Sequence, residues 1–458
     1  MQTHPPPWPA IIGDDAIDRP KSNPESMSDA LARLEHFLCK HFTAAIAAVI
    51  ALALVLRILA AVWVADINPA TAKVYEYGEI AASSIAHGAL TRDIERPDGT
   101  IWTYPTAIMP PLGIAMWLAV DRVFGIGRLS LAIIIGFNIL CGCAIVYGCM
   151  RIARLLFGMA AVAILAGVIA AIHPVFVYSV ATYHAVNFYV VELLALFWVC
   201  SSAVSATVWH SILAGVLFGA AILTRTEYLV LGGALLLGAL QRHRRAKLAV
   251  ISLLVALVML SPWTIRNYLV FHRFIPIANS VGLNLAKGFN REANGSGSWM
   301  DKNYVLDRQF DPVLDGIALT PHYESDRDDV FRADALQFMA QNPLRAFVEL
   351  PIRKILLFCL FDIYDEQTHS IWYQLPLWPV IVFSCLGIAV AWRAGLFRDS
   401  DHRSVLALFI AQGLVMACYA VHARYRMNVE PFLFAYAAAG VLSLVYCRGR
   451  LPARQAHA

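Results

Sequence analysis

Charge is scarce in this chain. Asp, Glu, Lys and Arg supply 15% of its 458 residues, while apolar types supply 59%. No water-soluble domain of this length could cover so much apolar surface, so lipid must be its solvent. A net charge of +4, with no basic run reaching far beyond Arg242–Lys247, excludes a nucleic-acid partner. The nine cysteines show no spacing for a disulfide framework or a zinc site. Most, including Cys141, Cys143, Cys200 and Cys418, sit inside apolar runs and read as packing residues. Neither a metal nor a cofactor is expected. There is no 20–50-residue repeat. The first 42 residues carry Pro5-Pro6-Pro7 but no charged, apolar and cleavage regions of a secretory signal, so residues 1–42 read as a disordered cytoplasmic tail.

Long hydrophobic runs are what the chain has instead. A span needs about 20 mostly apolar residues. Such runs occupy 43–65, 106–124, 129–150, 155–171, 174–208, 211–225, 226–240, 247–270, 375–392, 404–421 and 428–446. They predict an all-α polytopic bundle of about 11–13 transmembrane helices over residues 43–446, because lipid admits only helices or closed barrels and runs this long exclude a barrel. The run 174–208 is one long span or two short ones; with the N-terminus inside, parity requires two short crossings there, or else a span list that is off by one elsewhere. Arg242, Arg244, Arg245 and Lys247, then Arg393, Arg398 and Arg403, then Arg448, Arg450 and Arg454, mark the inside. Residues 447–458 then form a second cytoplasmic tail. Loops 66–105 and 271–345 fall outside, as does His422-Ala423-Arg424-Tyr425-Arg426. Residues 346–361, with Arg353 and Lys354, read as a helix lying in the interface.

The first outer loop is polar and acidic and carries Tyr75-Glu76-Tyr77-Gly78-Glu79 and Ala86-His87-Gly88, with Met109-Pro110-Pro111 where the chain re-enters the bilayer. Glu76 and Glu79 stand out among its carboxylates. Aromatic and apolar neighbours surround them, and their i,i+3 spacing places both on one helix face.

These stretches, with Phe124-Gly125, resemble the first loop of bacterial family 39 glycosyltransferases. That family is related to the protein O-mannosyltransferases and the lipid A aminoarabinose transferase within the glycosyltransferase C superfamily. Later segments resemble it in the same order: Gly215–Gly219 through Leu223-Thr224-Arg225-Thr226-Glu227, Pro262-Trp263-Thr264-Ile265-Arg266-Asn267, Gly282-Leu283-Asn284, Gly288-Phe289-Asn290, and Arg424-Tyr425-Arg426 before Pro431.

The resemblance implies transfer of one sugar from a polyprenyl-phosphate carrier to an envelope acceptor, whether glycolipid, polysaccharide or protein. The reaction would occur at the outer face of the cytoplasmic (inner) membrane, with the site facing the periplasm or exterior. It gives Glu76 the role of base or acceptor orienter, with Glu79 in reserve. A lipid phosphate already leaves well, so the protein must deprotonate the acceptor and steady the departing charge. The second task needs cations near the interface, and Arg225, Arg266, Arg424 and Arg426 are the candidates. Each of these arginines is equally placed to snorkel or anchor its span. Asn284 and Asn290 could hydrogen-bond sugar hydroxyls, or simply form turns.

A lipid or small-molecule transporter is the alternative. It would favour ionisable groups near the midplane and an inverted repeat. Arg57 and Glu192 are the tempting intramembrane charges, and no inverted repeat is visible.

Overall fold

A computed structural model describes residues 27–95, 99–201, 207–243, 246–303, 305–306, 313–314 and 316–445. Most of the N-terminal tail, Asp98, the C-terminal tail and the inside markers Arg244, Arg245, Arg448, Arg450 and Arg454 lie outside these residues.

The chain is a helical bundle with a single two-stranded hairpin among the described residues. It begins with α1 (Met27–Lys40) and α2 (Phe42–Val64). The predicted tail therefore ends earlier than expected, in a helix. Glu35 of α1 explains this. Its carboxylate accepts from Ala160 N and Ala161 N at 2.7 and 2.8 Å, at the start of α6 (Ala160–Ile172), and pairs with Arg154 at 3.3 Å. An acid at the first turn of a helix satisfies N–H groups that the helix cannot.

After α2 come α3 (Tyr75–His87), the hairpin β1 (Thr91–Glu95) and β2 (Ile101–Pro105), α4 (Pro111–Phe124) and α5 (Arg128–Phe157). Pro174 ends α6. The chain continues through α7 (Pro174–Tyr178) at a 57° bend. The bend frees carbonyls at the end of α6, and Arg57 of α2 takes up two of them: its guanidinium donates to Ala171 O and Ala170 O at 3.2 and 3.3 Å, and to Ala53 O. That accounts for a fully buried arginine in mid-span as a structural group.

Next are α8 (Val186–Cys200), α9 (Val208–Thr224), α10 (Tyr228–His243) and α11 (Ala246–Phe271), then α12 (Val281–Gly288) and α13 (Gly297–Lys302). The last part holds α14 (Tyr323–Gln341), α15 (Leu350–Cys359), α16 (Ile371–Arg393), α17 (Ser400–Cys418) and α18 (Glu430–Val445). Among the described residues α2, α5, residues Ala249–Phe271 and α16 are long and apolar enough to cross a bilayer, and α6 with Pro174–Ala181 passes as one bent pair. Helices α8, α9, α10 and α18 are shorter apolar rods. The protein is a multi-pass integral membrane protein.

Hydrogen bonds sort the helix ends onto two sides. On one, Glu35 meets Arg154, His402 meets Leu156 O, and Arg242 meets Cys200 O, Ser400 and Asp401. On the other, Tyr183 donates to Asp66 O at 2.6 Å. This sorting corrects two expected spans. The run 106–124 yields only the 14-residue α4, which is not among the apolar helices above, and α5 starts from the same side on which α4 begins. The run 174–208 holds one apolar helix, α8, because residues 174–181 complete the bent segment begun by α6. One change offsets the other.

Helices α16 and α18 cross closely. A Cβ on Gly387 would lie 1.9 Å from Tyr436 O, and one on Gly440 2.1 Å from Phe383 O. Only glycine lets two backbones come this close in lipid. That crossing fixes α18, and with it the loop 423–428 that enters the cavity described next.

Candidate active site

Segments 66–105 and 271–345 are stitched into one cap. Glu324 of α14 accepts from Thr106 Oγ1 at 2.5 Å, Ala107 N at 2.8 Å and Asn279 Nδ2 at 3.2 Å. Asn279 N donates to Ala107 O at 2.8 Å, and Tyr323 packs edge-on against Trp102 and Tyr104. Burial pushes the Glu324 carboxyl up, while these donors pull it back. Beneath the cap lies a cavity of about 360 Å³, lined from α3, β1, the 108–110 turn, the 225–227 turn, α12, α13, α14 and the 419–425 loop.

Glu76 enters it from α3. That helix buries Tyr77, Ile80, Ala81 and Ser84, a helical-period stripe that leaves Glu76 beside the packed face. The residue before it, Tyr75, has φ 56°, a left-handed conformation that side-chain-bearing residues avoid and that functional sites often retain. The half-buried Glu76 carboxylate has no hydrogen-bond or ion-pair partner among the described residues. Glu79 is exposed and outside the cavity. A three-residue step turns a helix by about 60° short of a full circle, which carries Glu79 round to solvent.

Of the four arginines, two reach the cavity. Arg225 caps the end of α9, and its Nη2 lies 3.0 Å from both oxygens of Glu227. Its guanidinium also sits 4.9 Å from the Tyr189 ring and 5.3 Å from that of Tyr425. Arg225 is thus neutralised and held. Arg424 lies over Tyr425 at 5.5 Å, and its Nε is buried without a partner. Arg266 is elsewhere: it donates to Thr106 O at 2.8 Å and Leu90 O at 3.1 Å, tying the first loop to α11. Arg426 is 4% exposed, donates to Leu360 O at 2.6 Å and pairs with Glu430 at 3.4 Å.

Asn284 lines the cavity from α12, where its amide nitrogen donates to Ser280 O at 2.7 Å. Asn290 does not line it. Its amide donates to Ala286 O and its oxygen accepts from Glu292 N, closing the turn after α12.

The cavity also gathers groups that sequence reasoning left without a role: Glu227, Lys287, Asp301, His422, Arg92 and Arg327. Lys287 pairs with Asp301 at 2.7 Å, and Asp301 lies 3.7 Å from His422 Nε2. The other imidazole nitrogen meets Ser298 Oγ at 3.3 Å, and Ser298 donates to Asp365 at 2.7 Å. His184 faces the cavity beside Tyr75. Burial, then the nearby Arg424 guanidinium, hold His184 and His422 well below the usual histidine range, so both imidazoles are neutral near pH 7. Glu227 stood inside a motif already noted, and His422 two residues before Arg424. The remaining four sit in the polar segments 66–105 and 271–345 with no spacing signal. Among the described residues no three His, Cys, Asp or Glu side chains gather in a way that would hold a metal ion.

The solved structures of Archaeoglobus fulgidus oligosaccharyltransferase share this architecture. One, in complex with zinc and sulfate, superposes over 88% of this chain at 14% identity and TM-score 0.51. The fold is a glycosyltransferase C-like helical bundle. A second structure of that archaeal enzyme, with an inhibitory peptide and a dolichol-phosphate, matches at 13% identity and TM-score 0.51. This chain spans about half the length of that enzyme. The family of dolichyl-phosphate-mannose-protein mannosyltransferases matches residues 109–265, about a third of the chain. ArnT from Cupriavidus metallidurans, bound to undecaprenyl phosphate, is 16% identical over 87% of this chain and 78% of its own, with TM-score 0.41. No curated protein matches the sequence.

Proposed function

We propose that this protein transfers a sugar from a polyprenyl-phosphate carrier to an envelope acceptor. The acceptor oxygen or nitrogen attacks the anomeric carbon, the bond from that carbon to the phosphate oxygen breaks, and the carrier leaves as a phosphate monoester. Glu76 takes the proton of the attacking group. Arg424 receives the departing phosphate, in a pocket where low dielectric strengthens the contact. Arg225, neutralised by Glu227, acts as the frame that holds Tyr425 and so Arg424 in place. Asn284, with its side-chain oxygen unpartnered among the described residues, and Asp301 bond sugar hydroxyls. The cap excludes water that would otherwise compete with the acceptor.

One observation carries the reading: an unpaired carboxylate and an unpaired guanidinium nitrogen share one cavity in a glycosyltransferase C fold. The dolichol-phosphate of the archaeal neighbour supports the carrier class. Arg242 and Arg154 lie on the side away from the cavity, which supports an extracytoplasmic site in the inner membrane. The test is Glu76→Gln, which keeps size and removes the base. In lipid nanodiscs with a labelled polyprenyl-phosphate sugar, transfer should fall by about 10²–10⁴-fold. Parent-like transfer by the variant would reject Glu76 as the base.

A further inference from the structure

The cavity holds more positive charge than one carrier phosphate can use. Its cationic side chains are Arg92, Arg225, Lys287, Arg327 and Arg424, and its carboxylates are Glu76, Glu227 and Asp301. Arg225 is matched by Glu227 and Lys287 by Asp301. Arg424 faces Glu76 electrostatically, and the proposed chemistry engages both. Arg92 and Arg327 remain.

Their position is specific. Arg92 is on β1 opposite Tyr104, and Arg327 is on α14 one turn beyond Tyr323, so the two flank the ring contact that joins the hairpin to α14. Neither has an ion pair among the described residues, and Arg327 Nε is buried with no hydrogen-bond partner while its guanidinium lies 5.3 Å over Phe331. The acids nearby are engaged elsewhere. Glu324 lies within electrostatic reach of Arg92, but its oxygens are taken by Thr106, Ala107 and Asn279 and it bonds neither arginine. Asp326 and Asp329 bind Arg273, and Asp328 accepts from Gly282 N and Leu283 N. Asp93 accepts from Thr103. A buried donor left unmade is unfavourable, and the single carboxylate within reach, its oxygens already bonded, does not match two cations. A ligand anion would answer both.

We propose that Arg92 and Arg327 form a second anion subsite in this cavity, and that a substrate brings a phosphate or carboxylate beyond the phosphate linking carrier to sugar. The inference rests on the transferase reading above and adds a substrate class to it. Two sources share this chemistry: an anionic group on the acceptor, or a second phosphate on the carrier.

The test uses the full chain in nanodiscs at fixed ionic strength, with three probes: farnesyl phosphate, farnesyl diphosphate and a 1,4′-bisphosphorylated glucosamine disaccharide. Dissociation constants are measured for the parent, R92Q, R327Q, R92K and R327K. Each Gln variant should lose about tenfold or more for one anionic probe, with farnesyl phosphate moving less than about threefold and the Lys variants keeping most of the affinity. Loss confined to the disaccharide assigns the anion to the acceptor; loss confined to the diphosphate assigns it to the carrier. Gln variants that bind all three probes like the parent, or lose affinity equally for all three, overturn the subsite while leaving the carrier reading intact. Farnesyl phosphate that fails to bind the parent overturns the carrier reading and the subsite together.

Discussion

Removing Glu227 leaves Arg225 as a buried charge with no partner, and the consequence can be worked through. The two side chains are 10% and 8% exposed, and one guanidinium nitrogen lies 3.0 Å from both carboxylate oxygens. Deleting one member of such a pair destabilises by about 3–5 kcal/mol, because the survivor stays desolvated. Glu227→Met and Arg225→Met should each fall in that range. The double variant R225M/E227M removes both charges, so its loss reduces mainly to the ring contacts of Arg225 at 4.9 and 5.3 Å. At about 0.5–2 kcal/mol each, these total about 1–4 kcal/mol. The singles should therefore couple by about 2 kcal/mol or more. Equilibrium unfolding in detergent, followed by tryptophan fluorescence, gives the three differences. Single losses that add to the double within about 0.5 kcal/mol would show two independent side chains and refute the frame.

Two other expectations concern the same region. Gly282→Ala places a methyl 1.9 Å from Asp328 O and 2.8 Å from Arg332 N, both backbone atoms of α14. It should destabilise by about 1–3 kcal/mol or more and depress transfer, since α12 carries Asn284 and Lys287, as thermal unfolding and turnover would report. The neutral His184 and His422 set a pH dependence. Their folded pKa values lie below the unfolded value of about 6.5, so the unfolded chain binds more protons in that window. Stability should be full above pH 6.5 and fall as pH drops below it, with His422→Gln flattening the slope in thermal unfolding from pH 8 to pH 5. An unchanged slope in H422Q would remove His422 from the account.

The bundle was legible because each span is an apolar run, and lipid demands helices of such runs. What could not be read was depth. The run 106–124 is apolar like its neighbours, yet it folds as the 14-residue α4, and composition does not encode which side a helix returns to. Of the candidate site residues, Glu76, Arg225, Asn284 and Arg424 line one cavity. Arg266 and Arg426 show why the site was not wholly legible. An arginine at an outward span end looks the same whether it meets a ligand or a carbonyl. The carbonyl partners of Arg266, Thr106 and Leu90, lie 160 and 176 positions away in sequence. Arg92 and Arg327 belong to polar segments, where nothing periodic sets them apart and only the folded seam brings them together.

The central claim is that Arg424 takes the carrier phosphate in the cavity that Glu76 faces. Equilibrium binding of undecaprenyl phosphate to the parent, Arg424→Gln and Glu76→Gln in nanodiscs tests it most directly. R424Q should weaken binding by about tenfold or more, while E76Q binds within about threefold of the parent or more tightly. Parent-like affinity in R424Q would contradict the claim.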